Sequence, residues 1–466
     1  MAQRIERIQD TIHGLMEFQG METSVVNVLR AQELQRLRRV RQLGLTHFVF
    51  PGAEHSRLVH AIGTSYLAVR FARHLRETTR EVLVPFLRPT ESATRDLALA
   101  GLCHDLGHGP LSHVWEREVI GENFERARWT QALGLEAEPG FDSLRWHELV
   151  SQAFLAWPEG ELHRLLEQQE DGSSKRIRRL LAGDFYIPYF PRLLSSDVDI
   201  DRCDFILRDA HQTGVAYGRY DLNWLVSTVT VGKAPDNRLV VGFDKRKAPR
   251  VVEQLLIARR ALYDTVYFHK TVRSAEGMIG LALRRLKEVA RESGWPITDT
   301  KLFDSFRKVI EGTPVGPHEI LDLDDYSLWV LVEQLAASSR QDPTLQDLAR
   351  RIVARDLFKM VPFPEEPLRE FLLREEAHSR LHDAVAPYSP GKKEYYIYID
   401  RAGFEMFCTA PKLSAYFVDI ERKDRAASPI REHHHLRPLW GEPQMTVRLY
   451  VPREAVTAVL KVLTND

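Results

Sequence analysis

The chain has 466 residues, 44% of them hydrophobic, and 64 Lys+Arg against 65 Asp+Glu leave a formal net charge of −1. That length calls for two or three packed units, and the charge balance gives no whole-chain reason to bind nucleic acid or a membrane surface. Three cysteines without paired spacing (Cys103, Cys203, Cys408), a charged start (MAQRIERIQD) and the absence of any apolar run near the ~20 residues that span a bilayer argue against a disulfide framework, a signal peptide and a membrane span, so a cytoplasmic protein is expected.

Most of the first two-thirds reads as helix. In SRLVHAIGTSYLAVRFARHLRE (56–77) apolar residues return every three to four positions, as on an amphipathic helix. RDLALAGLCHDL (95–106) is apolar all round, as a helix inside a bundle would be. It should stop at GHGP, because Gly107 and Gly109 weaken a helix and Pro110 disfavours one at its predecessor; Pro110 can then open a second helix, PLSHVWERE. STVTVGKAPDNRLVVGFD (227–244) alternates on both sides of a Pro-Asp-Asn turn signal and reads as a β-hairpin, after which RVVEQLLIARRALYDTVYFHK (250–270) returns to helix. Prolines at 362, 364 and 367 mark a boundary. Beyond it KEYYIYID, LSAYFVDI and MTVRLYV look like strands and REAVTAVLKVL like a closing helix. The expected fold is mainly α: a helical core over 1–360 with a small β-hairpin insertion, and a smaller C-terminal α+β region over 361–466.

HDLGHGPLSH (104–113) packs three histidines and an aspartate into the kinked junction between two helices, and histidine is both the commonest metal ligand and the side chain that titrates nearest neutrality. His60 lies three residues after Arg57, on the same helical face. SSDVDIDRCDFILRDAHQTG (195–214) offers Asp197, Asp199, Asp201, Asp204 and Asp209. Read as helix, it sets Asp197 and Asp201 at a repulsive spacing of four, which a nearby cation would relieve, and lines up Asp201, Phe205 and Asp209 as one stripe. Singly, each feature has a plain structural reading, as a buried histidine or a solvated acidic face. Together, in the order His, His-Asp, Asp on successive helical segments, they point to a metal site.

That order resembles the HD-domain phosphohydrolases, named for the adjacent His-Asp pair. DTIHG (10–14), LQRLRRVRQLG (34–44), FVFPGAEHSRLVHAIGTSYLA (48–68), HDLGHGPLSH, DIDRCDFILRDAHQTGV (199–215) and YFHK (267–270) narrow the likeness to the deoxynucleoside triphosphate triphosphohydrolases, whose vertebrate members carry a sterile-alpha-motif domain. The likeness covers about residues 5 to 290.

By that resemblance His60, His104, Asp105 and Asp201 ligate a divalent metal (Zn, Fe, Mn or Mg), with Mg²⁺ on the substrate triphosphate. The resemblance implies metal-dependent cleavage of a dNTP at the α-phosphate into deoxynucleoside and triphosphate. His113 would sit beside that phosphate with Glu116 orienting it, His147 and His108 would complete the catalytic set, and Arg57, Arg202, Arg259 and Lys270 would hold phosphates. Gln42 and Asp209 would bond the sugar 3′-hydroxyl, and the Tyr267 ring would leave no room for a 2′-hydroxyl. Phe205 departs from the family's tyrosine, and Arg202 from its lysine.

A nucleotide activator and a homo-oligomer, dimer or tetramer, are implied as well. Gln35 and Arg38 match residues of the activator site, whereas Arg30 replaces an aspartate that reads guanine and cannot accept its donors. No membrane partner is expected, and single-stranded nucleic acid is not indicated. Two alternatives remain: another HD phosphohydrolase, such as a nucleotidase or phosphodiesterase, or a non-catalytic HD module that binds nucleotide or nucleic acid.

Overall fold

The computed structural model describes residues 4–121, 124–136, 141–297, 301–337, 342–407, 414–434, 436 and 444–465; Cys408 lies outside them. The architecture is mainly α with small sheets. One continuous apolar core runs from Met16 in an N-terminal hairpin to Leu463 in the last helix, and both described cysteines, Cys103 and Cys203, are buried and reduced. No helix among the described residues is long and apolar enough to cross a membrane.

The helix Arg57–Thr78 runs through the centre and packs against the helix Glu91–Cys103 and the helix Ile200–Thr213. Each partner starts on a side-chain cap. Thr90 accepts from the Ala93 amide at 3.0 Å and Asp199 from the Arg202 amide at 2.8 Å, contacts worth roughly 1 kcal/mol each. Gly214, at φ +75°, ends the last of these helices in the left-handed conformation. Asp201 and Asp209 are thus on one helix, about 12 Å apart along its axis. Asp197 is not on it: the chain turns helical only at Ile200, so the expected Asp197–Asp201 repulsion within a helix does not arise. Asp197 is instead buried, accepting from the Ala415 amide at 3.3 Å.

The second helix of the HD junction begins at His113, three residues later than Pro110 suggests. Leu111 and Ser112 both have φ +52°, a left-handed conformation that side chains with a Cβ disfavour, so the chain reverses there before it can coil. A π-helical turn, Glu116–Ile120, follows. The helix Pro249–Leu262 likewise passes into a π turn, Tyr263–Tyr267, before the helix Lys270–Ser293.

Among the described residues three small sheets complete the fold. Strands β1 (Ile5–Asp10) and β2 (Gly14–Gln19) form an N-terminal hairpin that the residue pattern did not announce. The expected hairpin is present as β3 (Val229–Lys233) against β4 (Leu239–Asp244), and it extends to β7 (Tyr416–Val418), parallel to β4, and β8 (Ala427–Pro429). The third sheet has the order β5 (Lys359–Met360), β9 (Gln444–Val451), β6 (Tyr398–Phe404). Within KEYYIYID only the end is strand, since Lys393–Tyr396 is a 3-10 turn, and the chain closes on the helix Val456–Thr464.

Candidate metal centre and active site

His60, on the central helix, is fully buried, and its Nδ1 donates to Asp204 at 2.8 Å. His104, at the C-terminal end of its helix, donates through Nδ1 to the Gly101 carbonyl at 2.8 Å. Both rings are thereby held in the tautomer that leaves a lone pair on Nε2. Each Nε2 is buried without a hydrogen-bond partner among the described residues, and both face carboxylates. His60 Nε2 lies 3.0 Å from Asp201 and 3.9 Å from Asp105; His104 Nε2 lies 3.4 Å from Asp105 and 3.6 Å from Asp201. Two bare imidazole nitrogens between two carboxylates fit a divalent cation.

The charges say the same. Burial alone would push His60 down and Asp201 up, yet the carboxylates raise His60 to about 10 and the histidines hold Asp201 and Asp105 below the usual carboxylate range. Protons stand where a cation would. Asp201 is the most open of the four, its side chain 31% exposed, so a substrate would enter from its side.

Support for the quartet comes from the N-terminal hairpin. Asp204 also accepts from His13 Nε2 at 2.7 Å and from Arg208 Nε at 2.8 Å, while Arg208 Nη1 donates to Asp10 at 2.9 Å. Gly63 makes room for this network, because a Cβ there would meet Asp204 Oδ1 at 2.0 Å. His13, Asp10 and Arg208 carried no role in the sequence reading. The DTIHG block was the only signal for the first two.

A second group, His108, Glu116 and His147, adjoins the first: His108 Nε2 is 3.4 Å from Asp105. The His108 and His147 rings stack at 4.0 Å, and His113 stands edge-on to His108 at 5.4 Å. Glu116 accepts from His147 Nδ1 at 2.8 Å, so the carboxylate expected to orient His113 orients His147 instead. The pair with positive φ at 111–112 precedes a helical turn on which Glu116 is half-buried and His113 is exposed. Crowding by protein, then the Arg57 charge, lowers His113 to about 4, and the same causes hold His108 well below the imidazole range. His147 is brought close by Gly107, where a Cβ would meet the His147 carbonyl at 2.0 Å.

The expected phosphate ligands are less uniform. Arg57 is buried at the site, ion-paired to Asp105 and donating to Ser112 Oγ at 2.9 Å. Arg202 turns back on Asp199 and the Ser196 carbonyl. Arg259 donates to the Met406 carbonyl at 2.8 Å and lies 5.2 Å from the Phe404 ring, which ties it to the C-terminal sheet. Lys270 is exposed at the first turn of its helix, and Phe205 is half-buried. Asp209 bonds Tyr267 Oη at 2.6 Å and His55 Nε2 at 2.8 Å, and Gln42 Oε1 is buried without a partner among the described residues. Of the three residues expected at an activator site, Arg38 Nε donates to Gln35 Oε1 at 2.7 Å and Arg30 is exposed.

Comparisons with known proteins bear on the family and the fold. A family model described as an HD-associated region matches residues 221–295. An uncharacterized protein of Bacillus subtilis, YwfO, is 28% identical over 78% of this chain and 73% of its own length. The deoxynucleoside triphosphate triphosphohydrolase SAMHD1 of Bos taurus is 24% identical over 83% of this chain and 63% of its own, and the SAMHD1 homolog of Dictyostelium discoideum is 29% identical over 74% and 64%. The chain thus spans a little under two-thirds of those two relatives. Among solved structures, a phosphohydrolase from Bacteroides thetaiotaomicron superposes with a TM-score of 0.74 at 22% identity, covering 97% of this chain and 100% of that one. Over most of its length the chain resembles the SAMHD1 dNTP triphosphohydrolases.

Proposed function

We propose that the protein is a metal-dependent hydrolase of deoxynucleoside triphosphates that cleaves at the α-phosphate, releasing deoxynucleoside and inorganic triphosphate. The observation that carries this reading is the contact of two built groups. A metal-ready group (His60, His104, Asp105), with Asp201 3.0 Å from His60 Nε2 as the proposed fourth ligand, and an acid–base cluster (His108, Glu116, His147) meet at the 3.4 Å approach of His108 to Asp105. The resemblance to SAMHD1 supplies the substrate class.

When bound by the quartet, a divalent ion supplies Lewis acidity at the phosphate. This chain's own residues divide the rest. His147 is the group placed to hand a proton to the departing nucleoside oxygen, its ring fixed by the Glu116 carboxylate 2.8 Å from Nδ1. His113, held low near 4, stays neutral at pH 7 and orients a phosphate oxygen as a hydrogen-bond donor. Arg57, beside Asp105, offers its guanidinium to the α-phosphate. Arg202, Arg259 and Lys270 take the outer phosphates, the first two after exchanging their present partners for substrate oxygens.

A nucleotide-dependent homo-oligomer belongs to the same reading. Arg30 removes guanine recognition from the activator site, so GTP is not required. The experiment is incubation of metal-loaded protein with each dNTP, with and without GTP, resolving phosphate, pyrophosphate and triphosphate. Triphosphate alone is expected, with no dependence on GTP. dNMP plus pyrophosphate would replace this reading with the phosphodiesterase one.

A further inference from the structure

About two turns beyond Asp201 on the same helix, three segments far apart in the chain meet around one carboxylate. Asp209, 2% exposed, uses both of its oxygens: Oδ1 accepts from His55 Nε2 at 2.8 Å and Oδ2 from Tyr267 Oη at 2.6 Å. His55, 8% exposed, stands on the segment that leads into the central helix. A β-bridge between Arg41 and Ser56 and a bond from the Gln42 amide to the His55 carbonyl at 3.0 Å fix that segment against Gln42. Gln42 Oε1 and His55 Nδ1 are both buried with no hydrogen-bond partner among the described residues. Nε2 lies at hydrogen-bond distance from the carboxylate, so the His55 ring donates to Asp209 through Nε2.

A carboxylate offers about four acceptor positions, and His55 and Tyr267 occupy two. Gripped at both oxygens, Asp209 cannot pivot, and a remaining lone pair keeps one direction. Gripped by Tyr267 alone, it would rotate about the Cβ–Cγ bond and lose that direction. Asp209 and Gln42 are the residues that the deoxynucleotide reading assigns to the sugar 3′-hydroxyl.

On that reading, we propose that His55 is a specificity-determining positioning residue: it locks Asp209 in the orientation that accepts the 3′-hydroxyl. His55 thus acts on the sugar through Asp209. Tyr267 gains a second task from the same geometry, its ring bounding the 2′ side of the sugar while its hydroxyl holds the other oxygen of the lock. His55 stands just before the central helix that carries Arg57 and His60, so the residues proposed for sugar, phosphate and metal recognition follow one another within six positions.

The test compares dATP with 2′,3′-dideoxyATP, measuring kcat/KM for triphosphate release and equilibrium binding on the metal-loaded enzyme. The wild type should prefer dATP. In His55→Phe that preference should fall by about one to two decades, the range of a lost hydrogen bond to a charged acceptor, while dideoxyATP turnover and metal content stay as in the wild type. His55→Gln, whose amide can donate to Asp209, should recover most of the preference. Tyr267→Phe, which opens the lock from the other side, should lower it as well and provides the reading if His55→Phe does not fold. An unchanged preference in the folded variants, or equal loss on both nucleotides, overturns the proposal. If the wild type hydrolyses neither nucleotide, the hydrolase reading falls, and the binding ratios of the same variants still decide the role of His55.

Discussion

His60 meets two demands with one ring: Nδ1 is spent on Asp204, and Nε2 is left facing Asp105 and Asp201. The two sides give different experimental signatures. His104→Ala and Asp105→Ala remove ligands and should lose metal and activity together. Asp204→Asn keeps every proposed ligand but replaces an acceptor of protons from His13, His60 and Arg208 by a group with one oxygen. Metal affinity should fall by about 10–100-fold, read by competition with a chromophoric chelator. His147→Ala should keep a full complement of metal while losing about 100-fold or more in turnover. Elemental analysis of purified variants separates the three outcomes, and full metal in Asp105→Ala would remove it from the ligand set.

The reversed turn at Leu111–Ser112 is the element on which the acid–base cluster depends, and it is held from outside. Asp325, the first residue of the helix Asp325–Ala337, accepts from the Leu111 amide at 2.7 Å and from the Arg41 amide at 2.8 Å. Its burial raises the carboxyl to about 6 despite both amides. Because the folded value lies above the unfolded one near 4, the fold favours the protonated acid. Its stabilising contribution is complete below pH 4 and is lost as pH rises from about 4 to 6. Asp325→Asn cannot titrate, so the wild-type minus variant stability from urea unfolding should drop across that window, by up to about 3 kcal/mol. A flat difference would show that Asp325 does not titrate there.

The same element shows where the sequence stops being readable. The central helix, the helix before the HD pair, the hairpin β3–β4 and the stripe Asp201, Phe205, Asp209 were all legible, since each follows from a period of 3.6 or 2 within a dozen residues. The Leu111–Ser112 reversal was not, because its partner Asp325 is 214 residues away. Nor was the His55–Asp209 bond, across 154 residues, or the exchange of His113 for His147 as the partner of Glu116. The order His, His-Asp, Asp singled out four residues that the fold brings within 4 Å contacts of one another. What orients His60 and Asp105 is long-range, whereas His104 is held by the Gly101 carbonyl three residues before it.

At the scale of the whole molecule, the two sides of the expected boundary near residue 361 are interleaved. β5, before it, pairs with β9, and β7, after it, adds to β4 of the insertion. Arg448 donates to the Phe268 carbonyl and Arg259 to the Met406 carbonyl, which ties the C-terminal sheet to the segment carrying Tyr267. Deleting residues 361–466 should therefore leave no independently folded core, and the full chain should unfold in one urea transition by circular dichroism and by tryptophan fluorescence. A soluble, cooperatively folding 1–360 fragment would contradict this. The N-terminal hairpin adds a constraint of timing. His13 reaches Asp204 across 191 residues, so the network that aims His60 is missing half its members while the ribosome is still reading the middle of the message. At translation speeds of about 5–20 residues per second, that interval is on the order of 10–40 s. From Asp105 to Asp201, a stretch made in about 5–20 s, the nascent chain carries the His-Asp pair without the proposed fourth ligand or its brace, so on that ligand set metal loading awaits synthesis of the helix Ile200–Thr213.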